Sequence, residues 1–458
     1  MTTNAARIAT NSQPSQDMNT RTADAKEATA MQRTYISDIH RWQDRTVNLN
    51  GWVQRLRSLG QVNFLLLRDR TGTVQVVLNN EALADLELTT ESVVEVTGRV
   101  VKESRAHGGY EIWGDSVQLL NTAEPLPMNI NAPQLKATLD TQLNHRSLSL
   151  RHPSNQQLFR LQSALVHGFQ EFLNAGGFLQ VFTPKLVAGG TEGGTELFSL
   201  QYFEQKAYLA QSPQFYKQTL VGSGFERVYE VGHVYRAERH ATARHLNEYV
   251  SLDLEMAFIQ DEFDIMALET RLLQSIFESL RVCHGDLLES LRIDLPVVGA
   301  AIPHMTMDEA LTVLREEFGR SDLRDDLDPE AERLICHYAK QQWNSEFLFI
   351  TEYPLHKRPM YTMPKGPASS ASFDLLFRGV EITTGGQRIH NHGQLVQAMQ
   401  ERGLDPTLFG DYLEVFRYGM PPHGGLAIGL ERLTALLAGR SNVREASLFP
   451  RDRHRLTP

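Results

Sequence analysis

The sequence is poor in cysteine. Cys283 and Cys336 are the two cysteines of the 458-residue chain, and neither belongs to a CxxC pair. This spacing excludes a disulfide framework and a cysteine-based zinc site, as is usual for a protein of a reducing compartment. Because free cysteines behave as small apolar residues, we expect both side chains to fill core space.

Long apolar runs and an excess of positive charge are also missing. No run approaches the roughly 20 apolar residues needed to cross a bilayer, so we expect no membrane association and a cytoplasmic location. The net charge of −10 does not indicate a nucleic-acid-binding protein. A local basic stripe is nevertheless sufficient for phosphate contacts. Arg55, Arg57, Arg68 and Arg70 are either such a stripe or scattered surface arginines.

Four segments follow from composition and patterning. Residues 1–31 are polar with almost no large apolar residues, which predicts a disordered N-terminal tail. Short strands with glycine-containing turns over residues 32–120 predict a five-stranded β-barrel of the OB-fold type. Prolines mark residues 121–150 as a linker. Strands mixed with helices over residues 151–458 predict an α+β catalytic domain.

Helix signals in the C-terminal domain predict two long helices. Ser154 is the expected N-cap of the first, and a glycine pair at Gly176 and Gly177 is expected to end it. Residues 261–283 have the apolar spacing of the second helix. Neither GxxxxGK[ST] nor GxGxxG occurs in the sequence, which excludes the usual P-loop and Rossmann nucleotide sites.

Three stretches carry the chemistry. Residues 177–184 combine a glycine helix stop with a strand that ends in Pro184. Residues 225–249 read as a strand hairpin whose short loop follows Glu238, with Arg236 just before it. Residues 425–433 combine a strand of small residues with a helix that carries Arg432. In this order they resemble motifs 1, 2 and 3 of the class II aminoacyl-tRNA synthetases. The resemblance implies a catalytic domain built on an antiparallel sheet with flanking helices.

The resemblance to motifs 2 and 3 implies an ATP site. Attack of a carboxylate on the α-phosphate builds negative charge, and the planar donor fork of a guanidinium suits phosphate and carboxylate oxygens. Arg236 matches the arginine of that role and Arg432 the arginine that holds the γ-phosphate of a bent ATP, so these two are the candidate catalytic residues. The other implied ATP contacts are Glu238 at the adenine amino group, Tyr249 stacked on the ring where the family usually has Phe, His245 near the outer phosphates, and Glu381.

Asp374 and Glu381 match the magnesium ligands of the same family. Their separation of seven residues suits adjacent strands or one intervening turn. Mg²⁺ prefers one or two carboxylates together with phosphate oxygens and water. Outside the context of the three motifs, two acidic residues at this spacing would indicate nothing.

The amino acid specificity rests on residues 211–218, which resemble the signature of the aspartyl-tRNA synthetases. A carboxylate side chain requires cationic partners in a desolvated pocket. Lys217 and Arg388 match the lysine and arginine that bind the substrate β-carboxylate in that family. Asparaginyl-tRNA synthetases generally lack the lysine. The positions that surround the α-amino group are Ser212, Gln214, Asp253 and Glu192, the last in a glycine-bearing loop that resembles a closing lid.

The resemblance also implies partners. The OB-fold would read the tRNA anticodon, with Phe64 stacking on a base and Gln75 and Glu111 bonding base edges. The alternative for Phe64 is ordinary barrel core. The arginine cluster would contact phosphates. In the family, motif 1 forms a homodimer interface with its proline, here Pro184, at the centre.

Motifs 2 and 3 lie too close together for the insertion domain of the usual bacterial enzyme, so the resemblance is to the shorter archaeal/eukaryotic type of aspartyl-tRNA synthetase. It implies charging of tRNA-Asp with L-aspartate. Gln54 and His107 lie near the family's tRNA-discriminating loops but match no decisive pattern, so tRNA-Asn stays open, with a lean toward tRNA-Asp alone. The alternatives are an asparaginyl-tRNA synthetase, a synthetase-like asparagine synthetase, and a non-enzymatic OB-fold protein.

Overall fold

The computed structural model describes residues 32–84, 86–190, 196–239 and 242–457. The chain divides into two compact units, Met1–Met128 and Asn129–Pro458. The predicted disordered tail, residues 1–31, lies outside the described residues. Among the helices of the described ranges, none is long and apolar enough to cross a membrane.

The first unit contains a closed five-stranded barrel. Its strands are hydrogen-bonded in the order β1-β2-β3-β5-β4, and alternate side chains of each strand fill the barrel core. A 3₁₀ helix, Ile36–Trp42, adds two isoleucines to that core. The OB-fold prediction is confirmed. The strands are β1 (Thr46–Leu59), β2 (Val62–Arg68), β3 (Thr73–Asn79), β4 (Val93–Lys102) and β5 (Tyr110–Asn121).

Arg68 does not belong to a solvent-facing basic stripe. Its Nη2 lies 2.7 Å from Oε2 of Glu91, and both side chains are buried. An arginine that neutralises a buried carboxylate is not available to phosphates, so the prediction for Arg68 is wrong. Arg55, Arg57 and Arg70 are exposed.

The second unit is built from helices and strands in alternation. The helices are α1 (Leu139–Asn144), α2 (Arg146–Ser149), α3 (Pro153–Ala175), α4 (Gln214–Leu220), α5 (Glu262–Cys283), α6 (Gly285–Leu291), α7 (Met307–Phe318), α8 (Pro329–Trp343), α9 (His392–Glu401), α10 (Gly410–Arg417) and α11 (Leu430–Leu437). The strands are β6 (Leu179–Gln180), β7 (Leu186–Val187), β8 (Ser199–Tyr202), β9 (Gln205–Leu209), β10 (Arg227–Tyr235), β11 (Glu248–Ala257), β12 (His304–Thr306), β13 (Phe347–Thr351), β14 (Pro364–Lys365), β15 (Ser369–Ser370), β16 (Ser372–Phe377), β17 (Val380–Arg388) and β18 (His423–Gly429).

The main sheet has the strand order β12-β13-β16-β17-β18-β11-β10-β6. Its six central strands are antiparallel, as expected. The outermost strands β12 and β6 run parallel to their neighbours, so the sheet is mixed at both edges. Small sheets, β7-β9-β8 and β14-β15, lie outside it.

Helices α3 and α5 cover one face of this sheet with their apolar stripes. Helix α3 begins at Pro153, and a ring nitrogen of His152 accepts from the backbone N–H of Ser154. Proline suits the first helical position because the N–H that it lacks would have no partner there. The N-cap is therefore His152, and the prediction of Ser154 is wrong. On the opposite face, α7 and α8 pack against β13 and β16, so the part of that face near β11, β17 and β18 is left for a site.

The two cysteines differ in environment. Cys336 in α8 is buried, and burial raises the pKa of its thiol to about 12. Cys283 is exposed. The prediction that both fill core space is wrong for Cys283, because this residue ends α5 beyond the stripe that faces the sheet.

Helix α5 places one carboxyl group in the core. Oε1 of Glu269 accepts a hydrogen bond of 2.6 Å from the Thr383 hydroxyl of β17, and the side chain is fully buried. Burial raises the pKa of Glu269 from 4.5 to about 8, and Asp374 raises it further while the Thr383 bond opposes the rise. The native protein therefore holds this proton at neutral pH, whereas the unfolded chain releases it.

We predict that Glu269→Gln changes how stability depends on pH. A native pKa above the unfolded value means that rising pH favours the unfolded chain between about 4.5 and 8. Glutamine mimics the protonated acid, so the wild type should lose at least about 1 kcal/mol relative to the variant between pH 5.5 and 8. Urea titrations over this range measure the difference. Exposed Glu278→Gln on the same helix is the control, and equal pH slopes in wild type and Glu269→Gln would contradict the prediction.

Candidate functional site

The free face of the main sheet carries polar side chains of β11. Leu252 and Leu254 point into the core against α3 and α5. Because a strand sends successive residues to opposite faces, Tyr249, Asp253 and Glu255 share the other face. Two cavities of the second unit open above it.

The smaller cavity, of about 250 Å³, brings together all the residues that the sequence predicts for ATP. The guanidinium of Arg236 lies over the Tyr249 ring, 5.9 Å from its centroid. Nη1 of Arg432 donates to the carbonyl of Glu381 at 3.0 Å and lies 3.5 Å from its Oε1. Two cations and an aromatic ring thus face one space. The predicted lining residues are Arg236, Glu238, His245, Tyr249, Glu381 and Arg432.

Asn247 fixes the loop between β10 and β11, and sequence reasoning missed this role. Its Nδ2 donates to the carbonyls of Arg236, at 2.7 Å, and Glu238, at 3.0 Å. Its own carbonyl accepts from the backbone N–H of Arg236 at 2.9 Å. His245 also contacts this loop, with Nε2 3.6 Å from Oε2 of Glu238. The signal available in the sequence was the amide side chain near the end of motif 2.

The two predicted metal ligands lie on adjacent strands. Asp374 in β16 faces Thr384 of β17, the strand that carries Glu381. Burial raises the pKa of Asp374, and the Arg358 guanidinium, 2.8 Å away, opposes that rise. Oδ1 of Asp374 is buried and has no hydrogen-bond partner among the described residues. A buried carboxylate oxygen without a donor fits a ligand for a hard cation such as Mg²⁺. No group of three metal-ligating side chains occurs in the described ranges.

The larger cavity, of about 700 Å³, adjoins the first one. Four residues predicted for the amino acid line it: Ser212, Gln214, Asp253 and Arg388. The residues that line both cavities are Ser212, Arg236, Glu381, Thr384 and Ala427. The two cavities therefore share a wall at Arg236.

Lys217 of α4 is completely buried below this wall. Its Nζ lies 2.9 Å from Oδ1 of Asp253 and 3.5 Å from Oε2 of Glu255, and it donates to the carbonyls of Leu254 and Leu426. Within the described part of the chain, it lines neither cavity. Its charge is thus compensated by two carboxylates of β11.

Glu255 joins the two predicted cations, and sequence reasoning missed it. Its Oε1 lies 3.0 Å from Nε of Arg388, and its Oε2 accepts from Nε2 of Gln214 at 3.2 Å. Burial alone would raise the pKa of Glu255, but Arg388 and Lys217 hold it below its usual value. A Cβ on Gly425 would lie 2.2 Å from Oε2, so only glycine lets β18 pass here. The signal available in the sequence was strand alternation, which places Glu255 on the same face of β11 as Asp253.

A buried hydrogen-bond chain holds α4 in place. Nε2 of Gln218 lies 2.8 Å from Nε2 of His423, and the Tyr412 hydroxyl donates to Oε1 of Gln218 at 2.9 Å. Nδ1 of His423 lies 2.9 Å from the carbonyl of Pro421, which assigns the proton to Nδ1. Burial lowers the pKa of His423 to about 4, so the ring is neutral. This chain fixes the helix that carries Lys217.

Pro184, the predicted centre of the dimer interface, lines neither cavity, and the same holds for Lys217 and Asp374. Pro184 is exposed in a stretch whose neighbour Phe182 is 82% exposed, and Leu179 and Leu186 are about half exposed. Exposed apolar patches of this kind mark interaction surfaces. Glu192 and its predicted lid loop lie outside the described residues.

Of the predicted anticodon residues of the barrel, Phe64 and Gln75 are half-buried and Glu111 is buried. Phe64 is half-buried and is not part of the barrel core, unlike its neighbour Leu65. Nε2 of Gln75 donates to Oε2 of Glu111 at 3.1 Å, and Nε1 of Trp113 donates to Oε1 at 2.8 Å. Trp113 is 56% exposed, an aromatic surface that sequence reasoning missed.

Comparison with known proteins gives consistent matches. The family model of class II tRNA synthetases (D, K and N) matches residues 138–453, and the model of the OB-fold nucleic acid binding domain matches residues 47–120. The chain is 48% identical to the aspartate–tRNA(Asp/Asn) ligase of Thermus thermophilus, covering 93% of this chain and 100% of that protein. It is 44% identical, with the same coverage, to the aspartate–tRNA(Asp) ligase of Picrophilus torridus.

Solved structures give the same architecture. The asparaginyl-tRNA synthetase of Pyrococcus horikoshii, complexed with asparaginyl-adenylate, superposes with a TM-score of 0.86 at 31% identity. That match covers 93% of this chain and 100% of the other. The chain is therefore closer in sequence to the two aspartate ligases than to this asparaginyl enzyme.

Proposed function

Because the chain belongs to the class II tRNA synthetases of the D, K and N group, we propose that it activates L-aspartate with ATP and transfers it to tRNA. The family uses ATP, and its members are aminoacyl-tRNA ligases. The observation that carries the choice of aspartate is the pair of buried cations, Lys217 and Arg388, behind the wall of the amino acid cavity.

In the first step an α-carboxylate oxygen of aspartate attacks the α-phosphorus of ATP, and pyrophosphate leaves. Arg236, at the wall shared by both cavities, is the cation that can contact the carboxylate and the α-phosphate together. Arg432 holds the γ-phosphate. Tyr249 stacks on adenine, Glu238 accepts from its amino group, and His245 lies near the outer phosphates.

Magnesium is part of this proposal. Asp374 and Glu381 are the residues that would hold it, and its chemistry would be to neutralise charge on the phosphate oxygens. The orphaned buried oxygen of Asp374 and the half-buried carboxylate of Glu381, which lines both cavities, support this assignment.

Recognition of aspartate follows from an exchange of ion-pair partners. Lys217 and Arg388 are neutralised by Asp253 and Glu255 in the absence of ligand. When Asp253 accepts the α-ammonium group, with Ser212, Gln214 and Glu192, the cation of Lys217 is left for the β-carboxylate. Other substrates that lack this carboxylate cannot replace the lost compensation.

In the second step a hydroxyl of the terminal tRNA ribose attacks the carbonyl carbon of the adenylate, and AMP leaves. We propose that residues 32–120 bind the anticodon loop through Phe64, Gln75 and Glu111 and that 151–458 are catalytic. Of the segment 121–150, expected to be a linker, the part from Asn129 belongs to the second unit with α1 and α2. The exposed apolar patch around Pro184 supports a homodimer interface. Translation consumes the product, which supports a cytoplasmic location.

Charging of tRNA-Asn as well is a second candidate. The Thermus relative carries both tRNAs in its name, whereas the Picrophilus relative carries tRNA-Asp alone. The test is aminoacylation of purified tRNA-Asp and tRNA-Asn with labelled aspartate or asparagine. We expect aspartate on tRNA-Asp. Aspartate on both tRNAs would establish the second candidate, and charging by asparagine alone would overturn the proposal.

We predict that Lys217→Leu abolishes aspartate-dependent ATP–pyrophosphate exchange. The variant leaves Asp253 and Glu255 short of one buried cation, and such a loss costs about 3–5 kcal/mol, or a hundredfold or more in kcat/KM. Exposed Lys206→Leu is the matched control. Circular dichroism and ATP binding by calorimetry verify folding. Near-normal exchange by a folded Lys217→Leu variant would contradict the assignment of aspartate as the substrate.

We predict that Phe64→Ala weakens the use of tRNA. Loss of one base–aromatic stack costs about 1–3 kcal/mol, so KM for tRNA-Asp should rise roughly tenfold or more. Aspartate-dependent exchange, which needs no tRNA, is the internal reference. Exposed Leu59→Ala in β1 is the control. An unchanged KM for tRNA would remove Phe64 from the anticodon surface.

A further inference from the structure

We infer that Arg358 is a positioning residue of the magnesium site: it holds one oxygen of Asp374 and thereby presents the other oxygen to the metal. This inference rests on the proposed metal role of Asp374 and Glu381. It assigns a function to a residue that lies outside the three motifs and their predicted contacts.

The two oxygens of Asp374 have different surroundings. Oδ2 forms an ion pair with Nη2 of Arg358 at 2.8 Å, without the angle of a hydrogen bond, and the Tyr353 hydroxyl also bonds the Asp374 carboxyl. Oδ1 is buried and has no hydrogen-bond donor among the described residues. An ionised carboxylate in a site this dry needs compensation at both oxygens. Arg358 supplies it at one oxygen, and a cation is the ligand that the other oxygen lacks.

The guanidinium of Arg358 is itself held in one position. Its carbon lies 3.8 Å from the centroid of the Tyr353 ring, and 11% of its side chain is exposed. Nη2 of Arg402 donates to the carbonyls of Leu355, at 3.0 Å, and Arg358, at 3.3 Å. A side chain stacked on a ring, on a backbone pinned by a second arginine, is suited to orient a carboxylate.

The position of Arg358 also separates it from the proposed contacts of adenine and the γ-phosphate. It lines the larger cavity, together with Arg236 and Glu381, but not the smaller one, to which Tyr249 and Arg432 are confined. We therefore assign it to Asp374 and not to the nucleotide. Groups that orient metal ligands typically change metal affinity about 10- to 100-fold when they are removed.

The test measures how much Mg²⁺ strengthens nucleotide binding. Calorimetry gives the Kd of a non-hydrolysable ATP analogue with EDTA and with Mg²⁺, and the ratio reports coupling between metal and nucleotide. We expect Arg358→Met to reduce the Mg²⁺-dependent gain in nucleotide affinity, which is this ratio, about tenfold or more. The Kd in EDTA should stay unchanged. Arg358→Lys, which keeps the charge but loses the planar fork, should recover part of the gain.

Lys357→Met is the matched control. This neighbouring residue lines the same cavity with the same charge, but it pairs with Asp325 and Asp326, at 3.5 and 3.6 Å, and not with Asp374. Its Mg²⁺-dependent gain should equal that of the wild type. In an Asp374→Asn background, Arg358→Met should cause no further loss, because the carboxylate through which it acts is gone.

Every other outcome contradicts either the role of Arg358 or the proposed metal site. Equal weakening with EDTA and with Mg²⁺ would place Arg358 on the nucleotide, and a larger Mg²⁺-dependent gain would make it a competitor of the metal. Either result, or an unchanged gain, overturns the inference. A wild type without any Mg²⁺-dependent gain would instead reject the proposed metal site itself. Thermal unfolding of each variant verifies that it is folded.

Discussion

The amino acid pocket depends on a cluster of four buried charges. Lys217 and Arg388 meet Asp253 and Glu255 in a space from which water is almost excluded. Each charge alone would cost several kcal/mol to bury, so the four are tolerable only together. The four residues come from α4, β11 and β17, and Arg388 also donates to the carbonyl of Gly425 in β18. The cluster therefore fixes the register of these elements as well as the pocket.

The two cations and two carboxylates of this cluster balance each other, and this balance affects specificity. A ligand that brings one ammonium and one side-chain carboxylate can exchange partners with the cluster and leave every buried charge compensated. An amide ligand brings the ammonium alone, so one buried cation would lose its partner. Under the proposed function, the pocket separates aspartate from asparagine by this imbalance, and shape plays a smaller part.

Much of the site could be predicted because its residues lie in local patterns. Motif 2 places Arg236, Glu238 and Tyr249 on one hairpin, and the family resemblance accounts for Asp253. The roles of Glu255, Arg358 and His423 could not be predicted from the sequence. Their partners lie on other elements, which meet these residues only in the folded protein. Glu255 and Arg388, for example, are 133 residues apart. The burial of Arg68 could not be predicted for a related reason. A basic residue in a strand can point either to solvent or to a buried acid such as Glu91.

The shared wall of the two cavities links recognition to chemistry. Arg236 and Glu381 line both spaces, whereas Arg388 lines only the larger one and Lys217 lies buried behind it, paired with Asp253. Under the proposed function, an aspartate whose β-carboxylate is held by those two cations would direct its α-carboxylate toward Arg236. An ATP stacked on Tyr249 would bring its α-phosphate to the same guanidinium from the smaller cavity. The buried charges proposed to select the substrate would then also orient its reacting oxygen, so a shift of α4 should impair binding and adenylate formation together.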